Sequence, residues 1–358
     1  MDSKSKVIIV GADYHGDWAK DTYLALRDLG VDTDLVFTNT LVKGTDNNTD
    51  VTKRAQLEKI KRFFRNHARF IFNLVKEQRR RMSEREIVRQ IKFSYAPGKK
   101  LFVVFLWTPP RVVLLRTLKK IQGITLVLWQ GESPTLDANW PPTFPYFDHF
   151  LSVGEEWLEL LPEEVKKKAR FLPLASSPEK FFPLKEKMKD EKFASDIAFV
   201  GYYRPRRAEM LSGLKDYDLK IYGYWWENGM KEFPWVKEKY FGPLSNEDAN
   251  RVFNGGKIEI GRSPTEPEFP YSISITQRPF DISLAGNFQL SGYAPAMEKI
   301  FGDSVPMFHN DEELKKMVDY YLSHPEEREH LAAKAHTIVL NGHTYAHRAK
   351  ALVEILGI

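Results

Sequence analysis

Hydrophobic positions along the chain fall into two alternating patterns: short runs that are apolar throughout, and longer stretches with helical spacing. Residues 7–10 are a β-branched run that ends in Gly11, as a strand running into a loop would. Residues 19–29 carry helical spacing and stop at Gly30, and residues 31–37 read as the next strand. This β-α-β opening predicts a parallel sheet. Over residues 53–93, Leu57, Ile60, Phe64, Ile71 and Leu74 form much of an apolar stripe, which predicts one or two long helices. Residues 101–107 and 124–129 are then apolar almost without interruption, with a helix predicted over 111–120 between them. Strands covered by helices on both faces have this character. Residues 150–153 and 170–173 close the first series.

The stretch 176–193 is rich in Pro, Lys and Glu and has no period, which marks a linker. At 196–200 a new strand ends in Gly201 and the alternation restarts. Strands are expected at 219–222, 257–260, 288–290 and 305–308, and helices over 311–323, 325–339 and 343–356. The pattern predicts an α/β protein of two Rossmann-like domains in tandem. A chain of 358 residues suits that number, since single cores stop growing well before this length.

Composition narrows the class. With 42% apolar and 28% charged residues the chain is globular, and with no cysteine it has neither a disulfide framework nor thiolate chemistry. No run approaches the roughly 18 apolar residues of a spanning helix. The first residues lack the apolar core of a signal peptide, so a cytoplasmic protein is expected. Charge is uneven. Between Lys53 and Lys100 there are 16 Lys and Arg against 4 Glu, a local +12, so a total of +5 leaves −7 on the remainder. That segment suits either a solvated helical face or a surface for an anionic partner. On the second alternative the partner would be an anionic membrane surface, with peripheral association, or a lipid-linked acceptor; nucleic acid is not expected.

Ligands of open parallel sheets bind beyond the carboxyl ends of the strands, so candidate chemistry is sought in the loops there. Gly201-Tyr202-Tyr203-Arg204-Pro205-Arg206-Arg207 follows a strand and opens a helix. Its glycine allows close backbone approach to a phosphate, and its arginines can clamp one. Arg278 and Asp281 fall at the start of a short helix that Gly286 stops. Arg278 is placed to meet a phosphate, and Asp281 to accept hydrogen bonds from ribose hydroxyls. In the first half, Asp13 and His15 follow the first strand, and Glu132 follows the strand at 124–129. There they would position or deprotonate an acceptor hydroxyl. Each of these residues also has a plain structural role open to it, as a helix cap or a solvated loop side chain. The nine histidines form no ligand set, and neither a Walker A loop nor a G-x-S-x-G elbow occurs, so no metal site and no NTPase or hydrolase is expected.

In this order the residues of the second half resemble a known family, the CgeB-like glycosyltransferases of the spore-maturation type, which have the GT-B fold. The resemblance rests on Phe199 to Leu211; on Arg278-Pro279-Phe280-Asp281 through Gly286; on Asp311-Glu312-Glu313-Leu314 with Tyr320-Tyr321-Leu322; and on Glu327-Arg328 with His343-Thr344-Tyr345 and Arg348. The first half matches more loosely, through Tyr146-Phe147-Asp148 and Leu172-Pro173-Leu174-Ala175. What it implies is a GT-B enzyme, two Rossmann-like domains facing each other across a cleft. Residues 1–175 would be the acceptor side and 176–342 the nucleotide-sugar domain, with a final helix at 343–358 crossing back to the first. The nucleotide-sugar donor would be held by Gly201, Tyr202, Arg204, Arg206, Lys257, Arg278 and Asp281, with no cofactor and no metal. The acidic residue that holds the ribose is usually glutamate in such enzymes and is Asp281 here. Retaining relatives carry a second glutamate eight residues earlier, where this chain has Ile273. The same scaffold would also fit a nucleotide-sugar epimerase or phosphorylase, or a non-catalytic sugar- or membrane-binding protein.

Overall fold

A computed structural model describes residues 5–12, 17–38, 69–95, 98–185, 192–261 and 275–358. The chain divides into two compact units. The first holds Met1–Leu151, Pro162–Ala169 and Gly357–Ile358, and the second holds Ser152–Leu161 and Arg170–Leu356.

The first sheet takes β1 (Ser5–Gly11), β2 (Thr33–Phe37), β3 (Lys100–Trp107), β4 (Ile124–Gln130), β5 (His149–Ser152) and β6 (Ala169–Phe171) in the order β2-β1-β3-β4-β5-β6. The β1–β2, β1–β3 and β3–β4 pairs are parallel, with Val7 opposite both Thr33 and Phe102. Val7, Ile8, Ile9 and Val10 are at most 1% exposed, which explains their unbroken apolar run: both faces of β1 are covered. One cover is α1 (Trp18–Asp28), whose Trp18, Ala19, Ala25 and Leu26 are buried. Gly30 ends it in the left-handed conformation, where its amide bonds the carbonyl of Arg27. The basic helix α2 spans Arg69–Ser94, and its Ile87 and Ile91 are buried. Residues 53–68 of the basic stretch, with Leu57, Ile60 and Phe64, lie outside the described residues, as do the side chains of Ile71 and Leu74. No helix among the described residues is long and apolar enough to cross a membrane. A short helix α3 (Val112–Leu118) joins β3 to β4.

The second sheet holds β7 (Ser195–Val200), β8 (Leu219–Tyr222), β9 (Gly256–Gly261), β10 (Gln289–Gly292) and β11 (Met307–Phe308), in the order β11-β10-β9-β7-β8. All four pairings are parallel. In both sheets the opening strand lies between the strand that follows it and the third strand. The chain reverses direction across the sheet there, at the β1/β3 and β7/β9 boundaries, and such a switch point leaves a crevice at the carboxyl ends. The second core is built from Ile197, Phe199, Ile221, Ile258, Ile260 and Leu290, covered by α4 (Pro205–Ser212) and by helices nearer the C-terminus. Those are α5 (Asn246–Gly255), α6 (Arg278–Leu284), α7 (Pro295–Phe301), α8 (Asp311–Ser323), α9 (Pro325–Gly342) and α10 (Tyr345–Leu356). The described part of the expected linker is not loose. Asn250 and Asn254 of α5 accept from the amides of Phe182 and Leu184 at 3.2 and 2.9 Å.

Candidate functional site

The best-defined site of the second unit lies at its switch point. β7 ends in Val200, and Gly201 turns the chain toward α4. The carbonyl of Gly201 accepts the indole N–H of the fully buried Trp226 at 2.9 Å, and its amide donates to Tyr222 at 2.9 Å. Gly223, at the end of β8, packs directly on Gly201. A Cβ there would stand 2.0 Å from the Gly201 oxygen, and its φ of +129° is one that only glycine tolerates. Two glycines back to back therefore hold the Gly201 loop flat against the sheet.

Arg278 enters from the far side as the first residue of α6. Its Nη1 donates to the carbonyl of Val200, and its guanidinium lies 5.1 Å from the centre of the Phe199 ring. Arg207 flanks the same ring at 5.9 Å and donates to the carbonyl of Tyr202 at 2.8 Å. Both cations gain from the face of the ring. Some surface of Arg278 remains, yet its guanidinium is packed deeply enough that burial brings its pKa down to about 10. It is therefore still a cation at neutral pH. The acid that acts on it most strongly is Glu259 of β9, which is fully buried, and neither of its carboxylate oxygens has a hydrogen-bond partner among the described residues. Burial outweighs the pull of Arg278 and raises the Glu259 pKa well above the usual carboxylate range. Beside Glu259 in register stands Gln289, which braces the start of α6 by donating to the Pro279 carbonyl at 2.9 Å and to Ser283 Oγ at 3.0 Å.

Glu259 carries a pH prediction. A carboxyl whose folded pKa exceeds its unfolded value holds its proton more tightly in the native state, so its contribution to stability falls as pH rises above about 4.5. Glu259→Gln removes the group that must ionise. The variant is expected to lose that downward slope and to be more stable than the parent at neutral pH, by an amount on the order of 1 kcal/mol. Urea unfolding at pH 4.5 and pH 7.5 measures it; equal slopes in the two proteins would exclude an ionising Glu259.

The residues expected to bind the donor do not all reach this edge. Gly201, Tyr202, Arg204, Arg278 and Asp281 do. Arg204 is exposed at the start of α4, and Asp281 is only 8% exposed, with Gln277 Nε2 at 3.4 Å. Arg206 is turned away. It pairs with Asp311 in the first turn of α8 through contacts of 2.6 and 3.0 Å, where the carboxylate also meets the helix N-terminus. Lys257 is corrected more sharply: it lies at the start of β9 and bonds Asp196 at 2.6 Å, at the amino end of the sheet and not at the carboxyl end where the donor was expected. On the acceptor side, Glu132 is half-buried just beyond β4, while Asp13 and His15 lie outside the described residues, as does Ile273. Sequence reasoning passed over the pair Gly223 and Trp226, although a glycine followed by three aromatic residues directly after a strand was a visible signal. It also passed over Tyr202, Tyr224 and Trp225 as an aromatic group. The Tyr202 and Trp225 rings lie 5.0 Å apart, and Trp225 is 55% exposed.

With this geometry in view, comparison with known proteins decides the class of fold. Residues 206–354 match the profile of a family described as Glycosyl transferase-like. A search of curated protein sequences returns no match. Sucrose-phosphate synthase from Thermosynechococcus elongatus superposes with a TM-score of 0.68 at 9% identity, covering 99% of this chain and 98% of that one. HepE of Anabaena in complex with UDP-glucose gives 0.65 at 8% identity, covering 98% and 99%. An α-glucosyltransferase in complex with UDP and a 13-mer DNA gives 0.61 at 8%, covering 99% of both. The fold is GT-B. The family match falls on the second unit, running from within α4 to within α10, so it covers α6, the helix that carries Arg278 and Asp281. The profile match points to a glycosyltransferase-like second unit, and the solved structures show the fold.

Proposed function

We propose that this protein transfers a sugar from a nucleotide-sugar donor, held at the carboxyl ends of β7 and β9, to a hydroxyl acceptor. The observation that carries the reading is Arg278. Its charge is fixed under a glycine loop at a sheet switch point, in a setting too dry for water to screen it fully. When a glycosidic bond to a nucleoside diphosphate breaks, negative charge accumulates on the leaving diphosphate. A preorganised cation aimed there stabilises the transition state without reorganising. Arg204 adds a second positive charge at the same loop, the α4 amides point toward it, and Asp281 takes the ribose hydroxyls. These cations do the work a divalent ion does elsewhere, so turnover should survive EDTA. Glu132, with Asp13 and His15, would orient or deprotonate the acceptor. UDP-sugars are the first donors to try, because HepE and the α-glucosyltransferase hold UDP or UDP-glucose. The CgeB-like branch is the finer family reading.

The test is a thermal-shift screen with UDP, GDP, dTDP, ADP and CMP. A nucleotide at 100 times its Kd stabilises the fold by about 2.7 kcal/mol. Arg278→Ala and Asp281→Asn should each weaken the best ligand by about 1.5–3 kcal/mol, roughly 10- to 150-fold in Kd. If no nucleotide stabilises the protein, the donor site is wrong. Release of nucleoside diphosphate that requires an added acceptor separates transfer from epimerisation and from simple binding.

A further inference from the structure

The basic helix α2 of the first unit plays no part in the donor site, and its packing sorts its residues by face. Ile87 and Ile91 point into the fold and are buried. Polar contacts tie down the same side: Ser83 Oγ donates to the Thr38 carbonyl at 2.9 Å, and Glu84 accepts from Arg111 Nε at 2.6 Å. At about 100° per residue, the opposite side carries Arg81, Met82, Arg85, Arg89, Lys92 and Phe93, and every one of them is exposed. Neither described acid of the helix stands there. Glu84 is held inward by Arg111, and Glu86, on the flank, accepts from Arg89 Nη2 at 2.6 Å and from Gln90 at 2.8 Å.

Two of the outward residues are apolar, and they are aligned. Phe93 is 88% exposed and Met82 is 58% exposed. They stand about three turns apart, roughly 16 Å along the axis, on one flank of the outer face, while Arg81, Arg85 and Lys92 follow the other flank. Single exposed apolar residues are ordinary. A phenylalanine almost bare to water, in line with a methionine and beside a row of cations, is a pattern that a merely solvated helix has no use for. Phe93 also borders an open hollow of about 570 Å³, whose wall includes Tyr23 of α1 and Leu35, Val36 and Phe37 of β2, so the apolar strip is wider than one side chain. The carboxylate in that wall, Asp34, is neutralised by Lys6 at 3.0 Å.

We propose that the outer face of α2 docks the first unit on an anionic lipid surface, with Phe93 and Met82 entering the headgroup layer while Arg85 and Lys92 meet the lipid phosphates. The two kinds of residue select this partner together. Cations alone would suit any polyanion. A nucleic acid takes the cations but offers nothing to Met82. A bilayer of anionic lipid answers both, with charge at its surface and hydrocarbon ~5–10 Å beneath it. The charge distribution supplies the orientation. Residues 53–100 carry +12, and a total of +5 leaves −7 on the remainder, so a negative surface draws this side of the protein and repels the rest. The inference is independent of the glycosyltransferase reading and rests on α2 alone.

Flotation of the full-length protein with phosphatidylcholine vesicles, with and without phosphatidylglycerol, tests this. The parent should float with the anionic vesicles only, and less so as salt shortens the Debye length from ~10 Å at 0.1 M to ~3 Å at 1 M. Arg85→Gln combined with Lys92→Gln should weaken binding about 25-fold, at roughly fivefold per cation. Met82→Ser combined with Phe93→Ser should weaken it about tenfold. All four side chains are exposed, so both variants should unfold at the temperature of the parent, which shows that the losses belong to the surface. The chain has no cysteine, so Phe93→Cys gives a single attachment point for a polarity-sensitive dye. Its emission should brighten and shift to the blue on anionic vesicles. A parent that stays unbound at low salt overturns the proposal, and so does equal flotation with uncharged vesicles. Binding that the Met82 and Phe93 substitutions leave unchanged, or a dye that stays in water, overturns it as well. A DNA duplex that binds more tightly than the vesicles, and is lost in the charge variant, assigns the face to nucleic acid instead.

Discussion

Replacing Gly223 by alanine should unfold or severely loosen the second unit of the protein. The added methyl would stand 2.0 Å from the carbonyl oxygen of Gly201 and 2.6 Å from its carbon, and both are backbone atoms that have no side-chain freedom to yield. The φ of +129° adds strain of its own. Together the two effects amount to roughly 4 kcal/mol, at the top of what single substitutions do. Relief requires β8 and its loop to part from β7. That breaks the bond from the Gly201 amide to Tyr222 and the one from Trp226 Nε1 to the Gly201 carbonyl. The Gly201 loop and Arg278 then lose their floor, so any nucleotide stabilisation should vanish in the thermal-shift screen even where some structure survives. Gly213→Ala is the matched control. Gly213 has φ −67°, and a Cβ there meets nothing closer than the Met210 carbonyl at 3.8 Å. That variant should be neutral or slightly more stable, by about 0.4–1 kcal/mol. If the two variants unfold at the same denaturant concentration, the close packing of Gly223 on Gly201 is not what holds the loop.

Gly223 also shows where the sequence stopped speaking. Its strand, 219–222, was legible from three apolar residues around a lysine, and most of the other strands were legible in the same way. Apolar runs report burial on both faces, which is a local property. The helix 311–323 was read to the residue because its ends carry local signals: Asn310 caps the amide of Glu313 at 2.9 Å, and three acids fill the first turn. By contrast α5 was missed. Its residues end in a glycine and include three asparagines, poor helix formers, and only the cap from Ser245 to Asp248 announced it. What could not be read was anything fixed by distant partners. Arg206 looked like a phosphate ligand until Asp311, 105 residues away, was seen to hold it. Lys257 was a different kind of error. It opens its strand, so the rule that ligands gather at carboxyl ends already argued against it. Glu259 stands in an apolar run and is fully buried, and only the folded surroundings show that burial raises its pKa well above the usual carboxylate range. Trp107 looked like the last apolar residue of a strand, and only its backbone angle, φ +80°, shows that it faces out.

Arg348 supports the second large prediction. It stood in the sequence as a lone arginine of the last helix, and it is 6% exposed. Its Nε donates to the Pro173 carbonyl at 2.7 Å, its Nη2 to the Leu174 carbonyl at 3.0 Å, and its Nη1 to the Gly342 carbonyl at 3.2 Å. The backbone adds two bonds beside it, from the Ser176 amide to the His343 carbonyl at 3.2 Å and from the Tyr345 amide to the Ser176 carbonyl at 3.1 Å. The side chain thus staples the start of α10 to the segment 173–176 within the second unit. Burial is deep enough to bring its pKa down to about 10, so it stays charged at neutral pH. Arg348→Ala leaves three carbonyls without their donor in a buried place and should cost roughly 3 kcal/mol. The same cluster sets an acid limit. His343 Nδ1 faces Arg348 Nη2 at 2.8 Å, and its pKa is lowered to about 4, by burial first and by the Arg348 charge second. A histidine whose folded pKa lies below its unfolded value of about 6.5 binds its proton more readily when unfolded. Its stabilising contribution is therefore complete above pH 6.5 and is lost as pH falls toward 4. Solvent reaches this half-buried ring and screens part of the effect, so the parent should lose roughly 1–2 kcal/mol over that window from this group, and His343→Gln should flatten the loss. Guanidinium unfolding at pH 7 and pH 4.5 on the parent and both variants measures it. A parent equally stable at the two values, or an Arg348→Ala variant within 0.5 kcal/mol of it, an ordinary surface effect, would rule out the staple.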